Sequence, residues 1–381
     1  MTPKPPRLVA WLLAVAALLQ VGGAHSAGSG RIPLTRLSLG EIGGWIEVAV
    51  EVSGQTGRWL IDTGSTRHLV SSAFAERHGL VARSAVRADT AIGPVQGTEV
   101  ALPRLKLGAF ERAGQTALKV NDLRTLVGPA AEGLDGILGV PFFDGVALDM
   151  DLRNWTLEIV DSLPVVCPAD TERVSLGQHR GLPVIDVRVN NGPVESLLLD
   201  TGNPAAMVRL EGGEPAASEP GLTLPGGVSL ALARQVAIGA LRRLDVPVLR
   251  LRAAALQRAL GPSIAGLAGT ALLDGARWQL DLSQRRACVE HSSLGVPGGF
   301  GLTLVQRNGA LYVDAVLPGG PAQAAGLRTG DVIQRWVDGP PNSSMHELWA
   351  RVQGREEIDL LVGDESRPVR LRRAYFAPRL P

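Results

Sequence analysis

The sequence predicts a mainly β chain made of two similar halves, followed by a small mixed β/α domain. Three observations carry that prediction. Short segments of alternating apolar and polar residues recur along the chain, separated by turn-forming residues. Glycine and proline are frequent, 46 and 26 of 381 residues, while aromatics make up only 4%; many short strands joined by turns use such a composition and a helical bundle does not. The third is an ungapped internal repeat. Gly136, Gly139, Asp144, Gly145, Asp151 and Leu152 return as Gly266, Gly269, Asp274, Gly275, Asp281 and Leu282, at one constant offset (266 − 136 = 130).

Taken in order, the chain opens with Lys4 and Arg7, an apolar run from Leu8 to Leu19, and small residues at Ala24-His25-Ser26-Ala27. That is the order of a secretory signal peptide, with an uncleaved N-terminal anchor as the alternative. Residues 1–27 are therefore set apart from the fold, and the protein is expected to be exported, periplasmic or secreted.

In the first half, taken as residues 31–165, Ile46 to Val52 alternates strictly and predicts a half-buried strand. Ser53 to Gly57 predicts a turn, and a second strand then runs into Asp62. Ala73 to His78 suits a short helix closed by Gly79. Glycine and proline in Ile92-Gly93-Pro94-Val95-Gln96-Gly97 suggest a hairpin tip. Leu107-Gly108-Ala109-Phe110 is expected to start another strand pair, and Leu157 to Val160 a closing strand.

The second half, residues 166–291, repeats the plan. Pro183 to Val189 alternates, Asn190-Asn191-Gly192 turns, and Leu197 to Leu199 leads into Asp200. Ile238-Gly239-Ala240-Leu241 echoes the first half's Leu107–Phe110, and Glu211 to Pro225 is the expected mobile loop. After a linker over Ser292–Gly299, residues 298–376 form the small domain: a strand at Ala310–Val316, a helix over Ser343–Gln353, and strands at Ile358–Val362 and Val369–Leu371. The only cysteines are Cys167 and Cys288. An exported chain can oxidise them, so a disulfide joining the ends of the two halves is expected, with two free thiols as the alternative.

Two stretches carry the chemistry. Trp59-Leu60-Ile61-Asp62-Thr63-Gly64-Ser65 is an apolar strand ending on an acid, a hydroxyl residue and a glycine; Leu197-Leu198-Leu199-Asp200-Thr201-Gly202-Asn203 repeats it. Two carboxylates held close together cannot both ionise at ordinary cost, so the pair shares a proton. The ionised member can take a proton from water and the protonated member can donate to a carbonyl, which is amide hydrolysis without metal or covalent intermediate. The glycines let the two loops approach. Turn formation alone is the plainer account of Asp-Thr-Gly after a strand, but repetition in matched context argues against it. A formal net charge of +1 gives no electrostatic case for nucleic acid. Six scattered histidines without a cysteine cluster argue against a zinc hydrolase, and the absence of a Gly-x-Ser-x-Gly elbow argues against a serine hydrolase.

These residues resemble the aspartic proteases of the pepsin and retroviral type, over roughly Arg31 to Glu290. The halves are short and nearly equal, like two retroviral-type units fused in one chain. The resemblance implies a bilobal, pseudo-twofold β fold with Asp62 and Asp200 as catalytic pair. It also implies Thr63 and Thr201 as a cross-loop grip, supported by Gly64, Ser65, Gly202 and Asn203, and the Ile92-Gly93 region as a candidate flap. Asn203 departs from the family's usual Ser, Thr or Ala, and no flap tyrosine matches. The C-terminal segment resembles a PDZ domain, with Gly299-Phe300-Gly301-Leu302 as its carboxylate-binding loop. The expectation is thus a monomeric aspartic endopeptidase acting on polypeptides without metal or cofactor, its PDZ domain binding peptide C-termini. A catalytically silent peptide-binding or scaffold protein of the same fold is the alternative.

Overall fold

The computed structural model describes residues 30–380 except 41–43, 91–92, 129–130, 165, 212–221, 225–227, 253, 291–292, 296–298, 308, 337–350, 353–354, 375–376 and 378–379. The expected signal segment, residue Ile92 and most of the expected helix at 343–353 lie outside the described residues. Among the described residues, no helix is long and apolar enough to cross a membrane.

Three short strands come first: β1 (Ile32–Pro33), β2 (Thr35–Arg36) and β3 (Ser38–Gly40). The first half continues with β4 (Ile46–Val52), β5 (Gln55–Asp62), β6 (His68–Ser71), β7 (Ala82–Thr90), β8 (Gly93–Leu107), β9 (Phe110–Val120), β10 (Gly136–Gly139), β11 (Ala147–Asp151) and β12 (Thr156–Val160). The second half holds β13 (Thr171–Ser175), β14 (Gly177–His179), β15 (Leu182–Val189), β16 (Val194–Leu199), β17 (Met207–Leu210), β18 (Leu222–Leu224), β19 (Val228–Ile238), β20 (Leu241–Leu251), β21 (Gly266–Ala268), β22 (Arg277–Asp281) and β23 (Arg286–Glu290). After β24 (Ser293–Gly295), the C-terminal unit contains β25 (Leu302–Arg307), β26 (Ala310–Val316), β27 (Val332–Trp336), β28 (Glu357–Val362) and β29 (Arg367–Arg372).

Each half is a sheet with one plan. The first runs β2-β4-β5-β10-β6-β9-β8-β7, with an added β4–β8 pairing; the second runs β14-β15-β16-β21-β17-β20-β19-β18, with an added β15–β19 pairing. In each, the acid-bearing strand lies parallel to a later glycine-bearing one: Gly139 is opposite Asp62, and Ala268 is opposite Leu199. A third sheet, β1-β12-β11-β22-β23-β13, joins the halves. At its centre β11 and β22 are antiparallel, and Asp149 pairs with Gln279, its own repeat partner 130 residues on. The pseudo-twofold axis therefore passes through that pair, where Gln279 Nε2 donates to Asp149 Oδ2 at 2.8 Å. One continuous core spans both halves and includes Trp59, Phe142 and Phe143 from the first and Leu197, Met207 and Trp278 from the second. Cys167 and Cys288 form a disulfide that ties the segment before β13 to β23.

Several local expectations change. Gln55 to Gly57 belong to β5, because Ser53 and Gly54 alone turn the chain, both at positive φ (51° and 87°). The expected hairpin tip is strand from Gly93 to Gly97, paired with Thr90 to Val86. Leu107–Phe110 and Ile238–Leu241 do not start strand pairs: each is the tight turn of a hairpin, with Gly108 and Gly239 at φ 61° and 56°. Of the loop expected over Glu211–Pro225, Leu222–Leu224 is strand β18 against β19. Within the expected linker, β24 adds in parallel to β20.

The C-terminal unit has its own core, built on Phe300, Leu304, Val313, Ile333, Leu360 and Leu371. Its sheet runs β29-β28-β27-β26-β25-β3, so its last strand comes from the start of the chain.

Candidate active site

Each acid sits at the end of an apolar strand because that strand is core up to the residue before it. Trp59, Leu60 and Ile61 are buried, as are Leu197, Leu198 and Leu199. The chain then turns where a carboxylate and a glycine meet the cleft. Gly64 N–H donates to Asp62 Oδ1 at 2.8 Å, and Gly202 N–H donates to Asp200 Oδ1 at 2.9 Å.

The two loops are locked to each other reciprocally. Thr63 Oγ1 donates to Leu199 O at 2.7 Å and accepts from Thr201 N at 3.0 Å. Thr201 Oγ1 donates to Ile61 O at 2.8 Å and accepts from Thr63 N at 3.0 Å. Both threonines are fully buried, so all four bonds exclude water. This grip brings the acids within hydrogen-bonding reach of one another. It also makes the glycines obligatory: a Cβ on Gly64 would lie 2.3 Å from Asp200 Oδ1, and one on Gly202 would lie 2.5 Å from Asp62 Cγ.

Burial pushes both carboxyls above the ordinary carboxylate range. Asp62 goes further, since the charge of Asp200 and a bond to it add to the desolvation. Asp200 is held back by the bond from Asp62 and by the N–H groups of Gly202 and Asn203. The two buried carboxyls interact strongly, so they hold their proton in common and titrate as a unit.

The downstream glycines support the loops. A Cβ on Gly139 would meet Arg67 O at 2.4 Å, and one on Gly269 would meet Ala205 O at 2.2 Å. Val140 N donates to Ser65 O at 2.9 Å, and Thr270 N donates to Asn203 O at 2.9 Å. Ser65 and Asn203 cap their loops in the same way: Ser65 Oγ accepts from Arg67 N at 3.3 Å, and Asn203 Oδ1 accepts from Ala205 N at 3.2 Å. The change of residue thus keeps the turn.

The acids lie in a cleft of about 470 Å³. Leu60, Leu69, Leu118 and Ile137 line it from the first half; Leu182, Leu198, Leu256, Leu260 and Leu267 line it from the second. Arg67, His179 and Arg180 add polar groups to the wall, and the Nε2 of His179 is buried without a partner. The flap candidate is only partly described: Gly93 starts β8 opposite Thr90.

Sequence reasoning missed four residues of the site, three of which support the acid loops through hydrogen bonds. Trp45 Nε1 donates to Gly202 O at 2.8 Å. His68, buried in β6, accepts from Gly139 N through Nδ1 at 3.1 Å and meets Gln115 Oε1 through Nε2 at 3.2 Å. Gly139 fixes Nδ1 as acceptor, so Nε2 carries the proton. Thr270 Oγ1 donates to Thr201 O at 3.0 Å. The unpartnered His179 is the fourth. Only Thr270 had a signal, a hydroxyl residue directly after the repeated glycine where the first half has Val140.

Residues 48–142 match the aspartyl protease family. Residues 291–357 match the PDZ domain family. The first match contains Asp62-Thr63-Gly64 and Gly139 and stops short of the second half, whose kinship rests on the repeat and on the shared site geometry. No curated protein is significantly similar to the chain. The chain therefore carries an aspartyl-protease-like domain and a PDZ domain. In the PDZ region, the Gly299–Leu302 loop leads into β25. Gly301 takes φ 74°, where a Cβ would lie 2.9 Å from Gly320 Cα, and Arg373 stacks 4.7 Å from the Phe300 ring centre.

Proposed function

We propose that this protein is an exported aspartic endopeptidase in which Asp62 and Asp200 activate a water together. The observation that carries the reading is the reciprocal threonine grip, which holds two acids from separate halves close enough to share one proton. Asp200, charged, accepts a proton from the water as its oxygen attacks the scissile carbonyl carbon. Asp62 gives its proton to the carbonyl oxygen. The C–N bond then breaks as the amine nitrogen takes the proton held by Asp200 and one hydroxyl of the tetrahedral intermediate returns its proton to Asp62, which leaves a carboxylic acid and an amine and restores both acids. Apolar walls on both sides of the acids favour an extended polypeptide with aliphatic side chains about the cut bond. Both acids come from one chain, so a monomer suffices. The N-terminal segment supports export, with residues 31–165 and 166–291 as the halves and 298–376 as the PDZ unit.

A silent peptide-binding protein is the second reading. One observation favours it: the Nδ2 of Asn203 is buried beside the acid loop without a partner. The deciding experiment incubates purified protein with reduced, unfolded casein at several pH values, with and without a statine-type transition-state mimic. Cleavage blocked by the mimic is expected. Intact casein throughout would leave the silent protein.

A further inference from the structure

The PDZ-type unit already holds a strand on its ligand edge. Such domains take an extended peptide beside the strand that follows the carboxylate-binding loop. Here that strand is β25, and β3 pairs with it antiparallel. Ser38 lies opposite Val305, Leu39 opposite Leu304 and Gly40 opposite Thr303. The chain thus runs toward Leu302, with the polarity of a ligand whose carboxyl end would reach Gly299–Leu302.

Two further contacts fasten this arrangement to the protease half. Leu37, next to β3, shares one buried cluster with Val305 and Tyr312 of the PDZ unit and with Leu60, Leu69 and Ile137, which line the cleft. Arg307 Nε lies 3.6 Å from Glu132 of the first half. A few residues beyond β3, Trp45 donates its indole N–H to Gly202 O, in the loop that carries Asp200. One short stretch of chain therefore touches both the ligand edge and the second acid loop.

We propose that Ser38–Gly40 is an internal ligand of this edge, that a free carboxyl-terminal peptide takes the edge only by displacing it, and that displacement loosens the second acid loop through Trp45. An occupant tethered in the same chain acts at high effective concentration, so an outside peptide binds with an affinity reduced by the fraction of edge left open. On the peptidase reading, such a peptide is a negative effector, because Trp45 supports the acid loop.

The test uses the full chain and a fluorescein-labelled decapeptide ending in valine, as free acid and as amide. Two variants move the equilibrium in opposite directions. Leu39→Pro weakens strand pairing. Ser38→Cys with Val305→Cys places cysteines directly opposite each other, within disulfide reach, and the bridge is verified by non-reducing mass spectrometry. By fluorescence anisotropy, Leu39→Pro should bind the acid peptide at least about ten-fold more tightly than wild type, the bridged variant should not bind it, and the amide should bind none of them well. Hydrogen exchange over residues 200–206 should rise when the acid peptide is added to wild type and stay constant in the bridged variant. Equal affinity in wild type and Leu39→Pro, or binding by the bridged variant, overturns the internal ligand. Unchanged exchange on saturation overturns the link to the acid loop. Neither measurement needs turnover, so an inactive protein would refute the peptidase reading while both results still decide this one.

Discussion

The two halves of the cleft solve one problem with different acceptors, a backbone carbonyl in one and a side chain in the other. Each must hold the N–H of a glycine that runs against its acid loop. In the second half, Gly269 N donates to a backbone carbonyl, Ala206 O, at 3.1 Å. In the first half, Gly139 N donates to the imidazole of His68, which stands at the position equivalent to Ala206. A carbonyl accepts at every pH; an imidazole accepts only while neutral. Burial holds His68 down to about 4, so it stays neutral through the ordinary range. Where the halves touch, at Thr63 and Thr201, they are instead alike to within a tenth of an ångström. Duplication has kept the shared contact and let the outer support diverge.

The largest expected effect tests whether the acids are equivalent in turnover. Asp62→Asn and Asp200→Asn should each lower casein cleavage by at least ~10²–10⁴-fold, since each role needs a group that gains or loses a proton. Stability should move the other way for Asp62→Asn. A carboxyl raised in the folded state binds more protons there than when unfolded, so its contribution to stability falls as pH climbs past the unfolded value. The Asn variant escapes that penalty and should melt at the same temperature or higher near neutral pH. Near-normal turnover by Asp200→Asn would reduce the second half to a structural partner.

Next comes the imidazole. Its folded value is depressed, so the unfolded chain binds the proton more readily. The stability it lends is complete above about 6.5 and is lost as pH falls toward 4, by up to about 3 kcal/mol. Thermal melts across that window should fall steeply for wild type and less steeply for His68→Asn, which keeps an acceptor without titrating. Parallel slopes would mean that the first half is no more acid-sensitive than the second.

The threonine grip should respond symmetrically. Thr63→Val and Thr201→Val each strand one buried N–H and one buried carbonyl, at a cost of about 2 kcal/mol. Chemical denaturation of the two variants should give equal losses, and a twofold inequality would show that one half dominates the interface. The smallest effect belongs to Asn203→Ser. Serine can make the turn bond that Ser65 makes, so the melting free energy should stay within about 0.5 kcal/mol and turnover should persist. A collapse of activity would assign Asn203 a role beyond its turn.

Much of this molecule was legible beforehand because it is written in local pattern. Period-two alternation placed β4 and β15, and the constant 130-residue offset exposed the duplication. Two Asp-Thr-Gly runs at the ends of apolar strands located the acids, since such strands are buried up to the point where a polar loop must start. Tertiary structure alone decided the rest. β1, β2 and β3 have two or three residues each, too few to display a period, and they join three different sheets. Their partners are set by which sheet edges lie open after the halves and the PDZ unit fold, and no local pattern encodes that. The same holds for Trp45 and His68. Each is an ordinary residue in sequence, and its role comes from a backbone group many residues away: 157 for Trp45 and Gly202, 71 for His68 and Gly139.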